Sequence, residues 1–408
     1  MKSERILNAM GNIDDELVEA AQPPARRKRW TGFKWAAAVA CLTVVLLGGF
    51  ALYSGTAGAN MADLPVLDIT PEEGANAYGF EGYMAYDISE LVSGNPWTEQ
   101  MDLKTLPVFC NPVDYNRAGV PKTPVSEQTM EAMRERLLEA AKRLGLKDVQ
   151  VTDNAPSQEE IDAVTEKFAS VGKEVPDSYF ESTEVEVEQD GVKLVVGADL
   201  TVEIYFDPAV ALRSEYNFNY YSASYEDMQK AGAYLLEQYR GLLDMGKPQV
   251  NVTGGDCTFD GERTYSLEFF DAARDKTKRI LNYNLNKAEF YCNDAGELWI
   301  VRLRRPDLSQ KVGDYPIISV QEARELLLDG HYITTVPEER PGEDLIAKVE
   351  LIYRHSRHDR YFMPYYRFYV ELPDMARDNG LKTFGAYYVP AVPGEFLTGM
   401  PVWEGQFN

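Results

Sequence analysis

Nineteen consecutive residues, 35–53 (WAAAVACLTVVLLGGFALY), carry no charge at all. As a helix they would span about 28 Å at ~1.5 Å per residue, close to the ~30 Å hydrocarbon thickness of a bilayer. Buried core helices are usually shorter and seldom follow a basic cluster such as Arg26, Arg27, Lys28 and Arg29. Trp30, Trp35 and Tyr53 would sit at the two interfaces, where amphipathic rings are favoured. The segment is therefore expected to be a single transmembrane helix over residues 35–54.

Charge gives the expected orientation. Residues 1–34 hold seven basic and five acidic groups, a net of +2, while the whole chain is −24 with 65 Asp and Glu against 41 Lys and Arg. Beyond the apolar run the first basic residue is Lys104, preceded by nine acids. The positive-inside rule then puts the N-terminus in the cytoplasm and residues from about 55 onward outside the cell membrane. A cleavable signal peptide is the rival reading, since Ala57-Gly58-Ala59 fits a small-residue cleavage site; the long, acid-containing stretch before the apolar run weighs against it. Cys41 after Ala38-Val39-Ala40 has a lipoprotein-like context, but apolar residues continue past it. An acidic surface of this size repels phosphate backbones, so a nucleic-acid partner is not expected.

The remainder reads as successive helix-then-strand segments. Residues 55–118 are expected to be linker and irregular, aromatic-rich structure, with Tyr78, Phe80, Tyr83, Tyr86, Trp97 and Phe109 seeking burial. Met130, Met133, Leu137, Leu138, Ala141 and Leu144 recur at helical spacing after Ser126, and Gly145 ends the pattern. Strands are predicted at 148–152, 182–188, 192–197 and 201–206, the second and third joined by Asp190-Gly191. A second helix over 225–243 precedes strands at 263–270, 283–292 and 297–304. A third, over 320–329, precedes strands at 346–353, 365–372 and 384–389. Three helix-plus-sheet units, at 119–215, 216–312 and 313–408, indicate an α+β class.

In the third unit, residues 318–330 (ISVQEARELLLDG) resemble the Ser-x-x-Glu-Ala-x-x-x-Leu helix of PepSY-type domains, and residues 348–372 resemble their strand pair. The arrangement is also similar to YycH/YycI-type regulators. The resemblance implies an extracytoplasmic, noncatalytic domain that modulates a membrane or cell-envelope protein. Residues 1–21 with the basic cluster and apolar run are similar to N-termini of clostridial membrane proteins of anti-sigma-like type. The departure from them is that 34 residues are too few for a full anti-sigma domain and carry no His/Cys zinc motif.

Sites of chemistry are scarce. No phosphate loop, nucleophile elbow or HExxH motif occurs, and the only imidazoles are His331, His355 and His358. His355-x-x-His358 with Asp359 lies among Arg354, Arg357 and Arg360, which disfavours a metal and reads as a solvated hairpin tip. Acid pairs Glu159-Glu160 and Glu338-Glu339 have no visible partner. The run Tyr361, Phe362, Tyr365, Tyr366, Phe368 and Tyr369 is either a sugar-stacking surface or core; alternation along a strand favours core. Cys257 and Cys292 are expected to stay reduced, with a disulfide between them as the alternative. No catalytic, cofactor or metal residue is assigned. The expected function is noncatalytic regulation through protein contacts, with a glycan- or small-ligand-binding module as the alternative and an envelope hydrolase as the more remote one. In the N-terminal segment Ile6, Leu7, Met10, Ile13, Leu17 and Val18 form a helical stripe; residues 3–20 are expected to be a frayed juxtamembrane tail, with docking on a cytoplasmic partner as the functional alternative.

Overall fold

Alternation of apolar and polar residues dominates the chain, and the computed structural model of the protein turns that alternation into strands. It describes residues 64–70, 84–116, 119–154, 156–176, 179–180, 183–258, 260–334, 336, 342–400 and 402. In chain order the strands are Leu67–Asp68 (β1), Met84–Tyr86 (β2), Thr105–Cys110 (β3), Thr152–Asp153 (β4), Glu184–Gln189 (β5), Val192–Gly197 (β6), Val202–Val210 (β7), Pro248–Cys257 (β8), Arg263–Asp271 (β9), Lys287–Cys292 (β10), Leu298–Arg304 (β11), Lys311–Pro316 (β12), Ile346–Arg354 (β13), Tyr361–Glu371 (β14), Thr383–Pro390 (β15) and Leu397–Thr398 (β16). The helices are Glu127–Arg143 (α1), Gln158–Ser170 (α2), Tyr225–Leu243 (α3), Lys276–Asn284 (α4) and Val320–Leu328 (α5).

Fourteen strands join one antiparallel sheet in the order β12-β3-β14-β15-β2-β8-β9-β10-β11-β7-β6-β5-β4, with β13 on the other side of β14. The register explains the layering. Across β7, β11, β10, β9 and β8 the residues Ile204, Val301, Phe290, Leu267 and Val252 stand in one row. All five are buried in a core shared with Met133 and Leu137 of α1 and Leu235 of α3. These helices cover that face because their apolar residues recur on one stripe. α3 comes especially close at Gly232, where an added Cβ would lie 2.6 Å from Val250 and 2.7 Å from Leu267. A second core gathers α4, α5, β13, β14 and β15 around Phe368, Tyr387 and Val389.

Two expectations need correction. The fold is not an α+β series of repeated helix-plus-sheet units but a mostly-β structure, with sixteen strands to five helices among the described residues. The helix signals are real, but the sheet runs through the expected unit boundaries. β11 bonds back to β7, and β2 and β3, inside the segment read as irregular, pair with β8, β14, β15 and β12. Such pairings join residues far apart in sequence, which local patterning does not reveal. The membrane-spanning, single-pass reading is corrected likewise: among the described residues no helix is long and apolar enough to cross a membrane. The longest, α3, carries Glu226, Asp227, Lys230, Glu237 and Arg240. Residues 35–54 and the stripe within residues 3–20 lie outside the described residues.

Candidate functional site

The row beside the apolar one faces the other way and is polar throughout. Glu203, Arg302, Glu289, Glu268 and Asn251 stand opposite one another across β7, β11, β10, β9 and β8. Strand period two makes this inevitable: if the neighbouring row faces the helices, this one faces away. Lys287 on β10 and Arg304 on β11 are also register partners. Lys287 Nζ lies 2.7 Å from Glu268 and 3.1 Å from Glu289. Arg304 Nε donates to Glu289 at 2.9 Å, and Arg302 reaches Glu203 at 2.7 Å. Asn251 Nδ2 donates to Glu268 at 3.0 Å.

Burial opposes ionisation of Glu289, but Lys287 and Arg304 outweigh it and hold its carboxyl down at about 2. Lys287 is raised: burial opposes its charge, and Glu268 and Glu289 win. Lys287 and Glu289 thus hold opposite charges that compensate one another within the row.

A second wall faces this row. On the β13–β14 hairpin Glu350 pairs with Arg367 at 2.6 Å and Lys348 at 3.1 Å. Burial again opposes Glu350, yet Arg367 and Lys348 bring it to about 2. Residues 92–95 stitch the two walls together. Val92 bridges Gly254, Ser93 Oγ donates to Glu350 at 2.7 Å, Gly94 N donates to Asn251 at 2.7 Å, and Asn95 Nδ2 donates to Leu351 O at 3.0 Å.

Between the walls lie neighbouring cavities that share lining residues. One of about 590 Å³ is bounded by Glu268, Lys287, Glu350, Arg367, Tyr283 and Cys257, among others. A second of about 630 Å³ shares Ser93 and Glu350 with it and extends to Trp97 and Tyr225. A third, of about 400 Å³, shares Ile352, Tyr353 and His355 with the first and reaches Arg302, Arg304 and Arg357. Tyr220 borders the first cavity; Tyr221, whose ring centroid is 5.0 Å from that of Tyr220, is 60% exposed beside it.

The tip of the β13–β14 hairpin is tied down by hydrogen bonds, with Arg357 and Arg360 exposed and the other tip residues half-buried. Arg354 pairs with Asp359 at 2.9 Å, Asp359 accepts from Ser356 N at 2.8 Å, and Asn111 Nδ2 donates to the carbonyls of Arg357 and Asp359. Asp359 is raised because burial disfavours its charge more than Arg354 supports it. His355 lines the first and third cavities. Burial, then Arg304 and Lys287, push it down to about 4, so it is neutral at pH 7.

Other residues singled out in the sequence fall elsewhere. Of the aromatic run, Phe362, Tyr365, Tyr366, Phe368 and Tyr369 are buried and Tyr361 is half-buried, so the run is not an exposed stacking surface. Glu160 caps α2 through Ser157; Glu338 and Glu339 lie outside the described residues. Cys110, Cys257 and Cys292 are free thiols, Cys292 accepting from Tyr220 N at 3.3 Å. Among the described residues no group of three His, Cys, Asp or Glu could hold a metal. What sequence reasoning missed is the charged row. Its signal was a charged residue flanked by apolar ones within each strand: Glu203, Glu268, Glu289 and Arg302. No family model matches the chain, and no curated protein matches it.

Proposed function

We propose that this protein is a noncatalytic binding protein whose cleft takes a small polar ligand rich in hydrogen-bonding groups. The observation that carries the reading is the pairing of the cleft's charges before any ligand arrives. Glu203, Glu268, Glu289 and Glu350 each lie within 3.1 Å of a cation or its register partner. Glu289 and Glu350, both held down at about 2, are poor general acids or bases at pH 7, yet the paired carboxylates and their arginines present fixed donors and acceptors. The polar cavity distinguishes this reading from regulation through a bare protein-docking face. The resemblance to PepSY-type domains supports a regulatory use of the bound state.

Exposed Tyr220, Tyr221 and Tyr225 flank the cleft and favour a saccharide among such ligands, because sugar C–H faces stack on aromatic rings. Saturation-transfer NMR with mono- and disaccharides and with di- and tripeptides should reveal saturable binding. Ser266, which lines the first cavity, should abolish it when changed to Phe, with the fold intact by circular dichroism. Binding that survives Ser266→Phe would place the ligand elsewhere.

A further inference from the structure

The cleft is electrically uneven along its length. The two larger cavities are lined by more acids than bases: Asp256, Glu268 and Glu350 against Lys287 and Arg367 in one, Glu99 and Glu350 against Lys348 in the other. The third cavity reverses the sign, with Arg302, Arg304, Arg354 and Arg357 against Asp199 and Glu203. A basic recess is not expected by default in a chain of net charge −24.

The recess also has unused donors. Arg304 spends only Nε on Glu289, and Arg357 only Nε on Asp199; their terminal nitrogens make no hydrogen bond among the described residues. Thr201 adds a hydroxyl, and neutral His355 adds an imidazole. Two features preorganise the set. Arg357 lies 5.7 Å over the Tyr115 ring, and Asn111 ties the hairpin tip that carries it to the end of β3. Planar guanidinium forks with free edges suit an oxyanion, which they hold through paired N–H···O bonds.

We infer that the recess lined by Arg302, Arg304, Arg357, Thr201 and His355 is an oxyanion subsite that receives a carboxylate or phosphate group on the ligand of this cleft. The inference rests on the cleft being a ligand site and narrows its occupant to an anionic or zwitterionic molecule, its anion at the Arg304 end and any cation toward Glu268 and Glu350. Nearby anionic occupancy would be screened by salt, as exposed charge pairs are.

Isothermal titration of the full chain with citrate and, separately, inorganic phosphate, at low and at physiological ionic strength, tests it. Citrate tighter than phosphate identifies a carboxylate site, and the reverse a phosphate site. Either should weaken on the order of tenfold in Arg304→Lys, which keeps a charge beside Glu289 but loses the fork. Arg357→Gln should weaken it as well, while Lys382→Gln, at an exposed pair with Glu371, should not. Binding of neither anion, or equal binding in wild type and Arg304→Lys, overturns the inference. The two readings fail separately. A saccharide or peptide that binds, is blocked by Ser266→Phe and is not displaced by either anion leaves the cleft standing and removes the subsite.

Discussion

Glu289 shows how the cleft is held together at the level of one residue. Its side chain is 10% exposed, touches Lys287 and Arg304, and accepts from the Tyr291 hydroxyl at 3.0 Å. Removing its charge as Glu289→Gln leaves Lys287 and Arg304 side by side with less compensation, and breaking a buried pair in this way costs about 3 kcal/mol. Lys104 and Asp102 form a shorter pair still, at 2.7 Å, but both are mostly in water. Lys104→Ala should therefore change stability by less than about 1 kcal/mol. Urea unfolding of the two variants should separate them clearly; equal effects would mean that the buried row contributes no more than a surface pair. The same residue shows what was legible. That a charge interrupts the strand is visible at Glu289, as are Lys287 and Tyr291 two residues away, but Arg304, Arg302 and Glu268 come from other strands and follow only from register.

At the scale of elements, turns and caps decide where strands and helices stop. β8 shifts register between Gly254 and Cys257, and Gly254 sits at φ +112°. A Cβ there would lie 2.4 Å from Thr264 O, so Gly254→Ala meets both a left-handed backbone and backbone crowding. It should disturb the Val92 bridge and raise hydrogen exchange at Val92 and Gly254's neighbours; unchanged protection there would show that the bulge does not need glycine. α5 begins with a reciprocal cap: Ser319 Oγ accepts from Glu322 N at 3.2 Å while Glu322 accepts from Ser319 N at 2.7 Å. Ser319→Ala should destabilise by about 1 kcal/mol, read as a lower thermal midpoint. Helices were well marked because caps and periodicity are local: the Ser126 start and the 225–243 span are found as expected. Pro248, Gly254 and Gly255 hid β8, and α4 overlaps the residues where strand 283–292 was expected, since a short apolar stretch reads as either element.

For the molecule as a whole, the buried charges make stability depend on acid. Glu289 and Glu350 ionise at about 2 in the fold against 4.5 ordinarily. Their contribution is complete above about 4.5 and is lost as pH falls from there toward 2. His355 lies at about 4 against 6.5, so below 6.5 the unfolded chain binds a proton that the folded chain does not. Stability should thus decline gently from pH 6.5 and steeply below 4.5. His355→Asn should remove the gentle phase alone. Urea midpoints measured from pH 7.5 to 3.5 check both; a flat profile down to pH 4.5 in wild type would contradict the placement of His355.

Length, charge and periodicity by themselves determined three of the five helices, most of the hairpins and the scarcity of catalytic motifs, because each is a property of neighbours along the chain. The phase of Glu203, Glu268, Glu289 and Arg302 was written there too, without its consequence. Only the tertiary structure decided that these strands form one continuous sheet, that their charged row faces the β13–β14 hairpin across a cleft, and that the His355 tip folds over its basic end. Those facts depend on register and on pairings such as β11 with β7 and β2 with β8. They join residues tens to hundreds of positions apart, and what fixes them is the burial of complementary rows on facing strands.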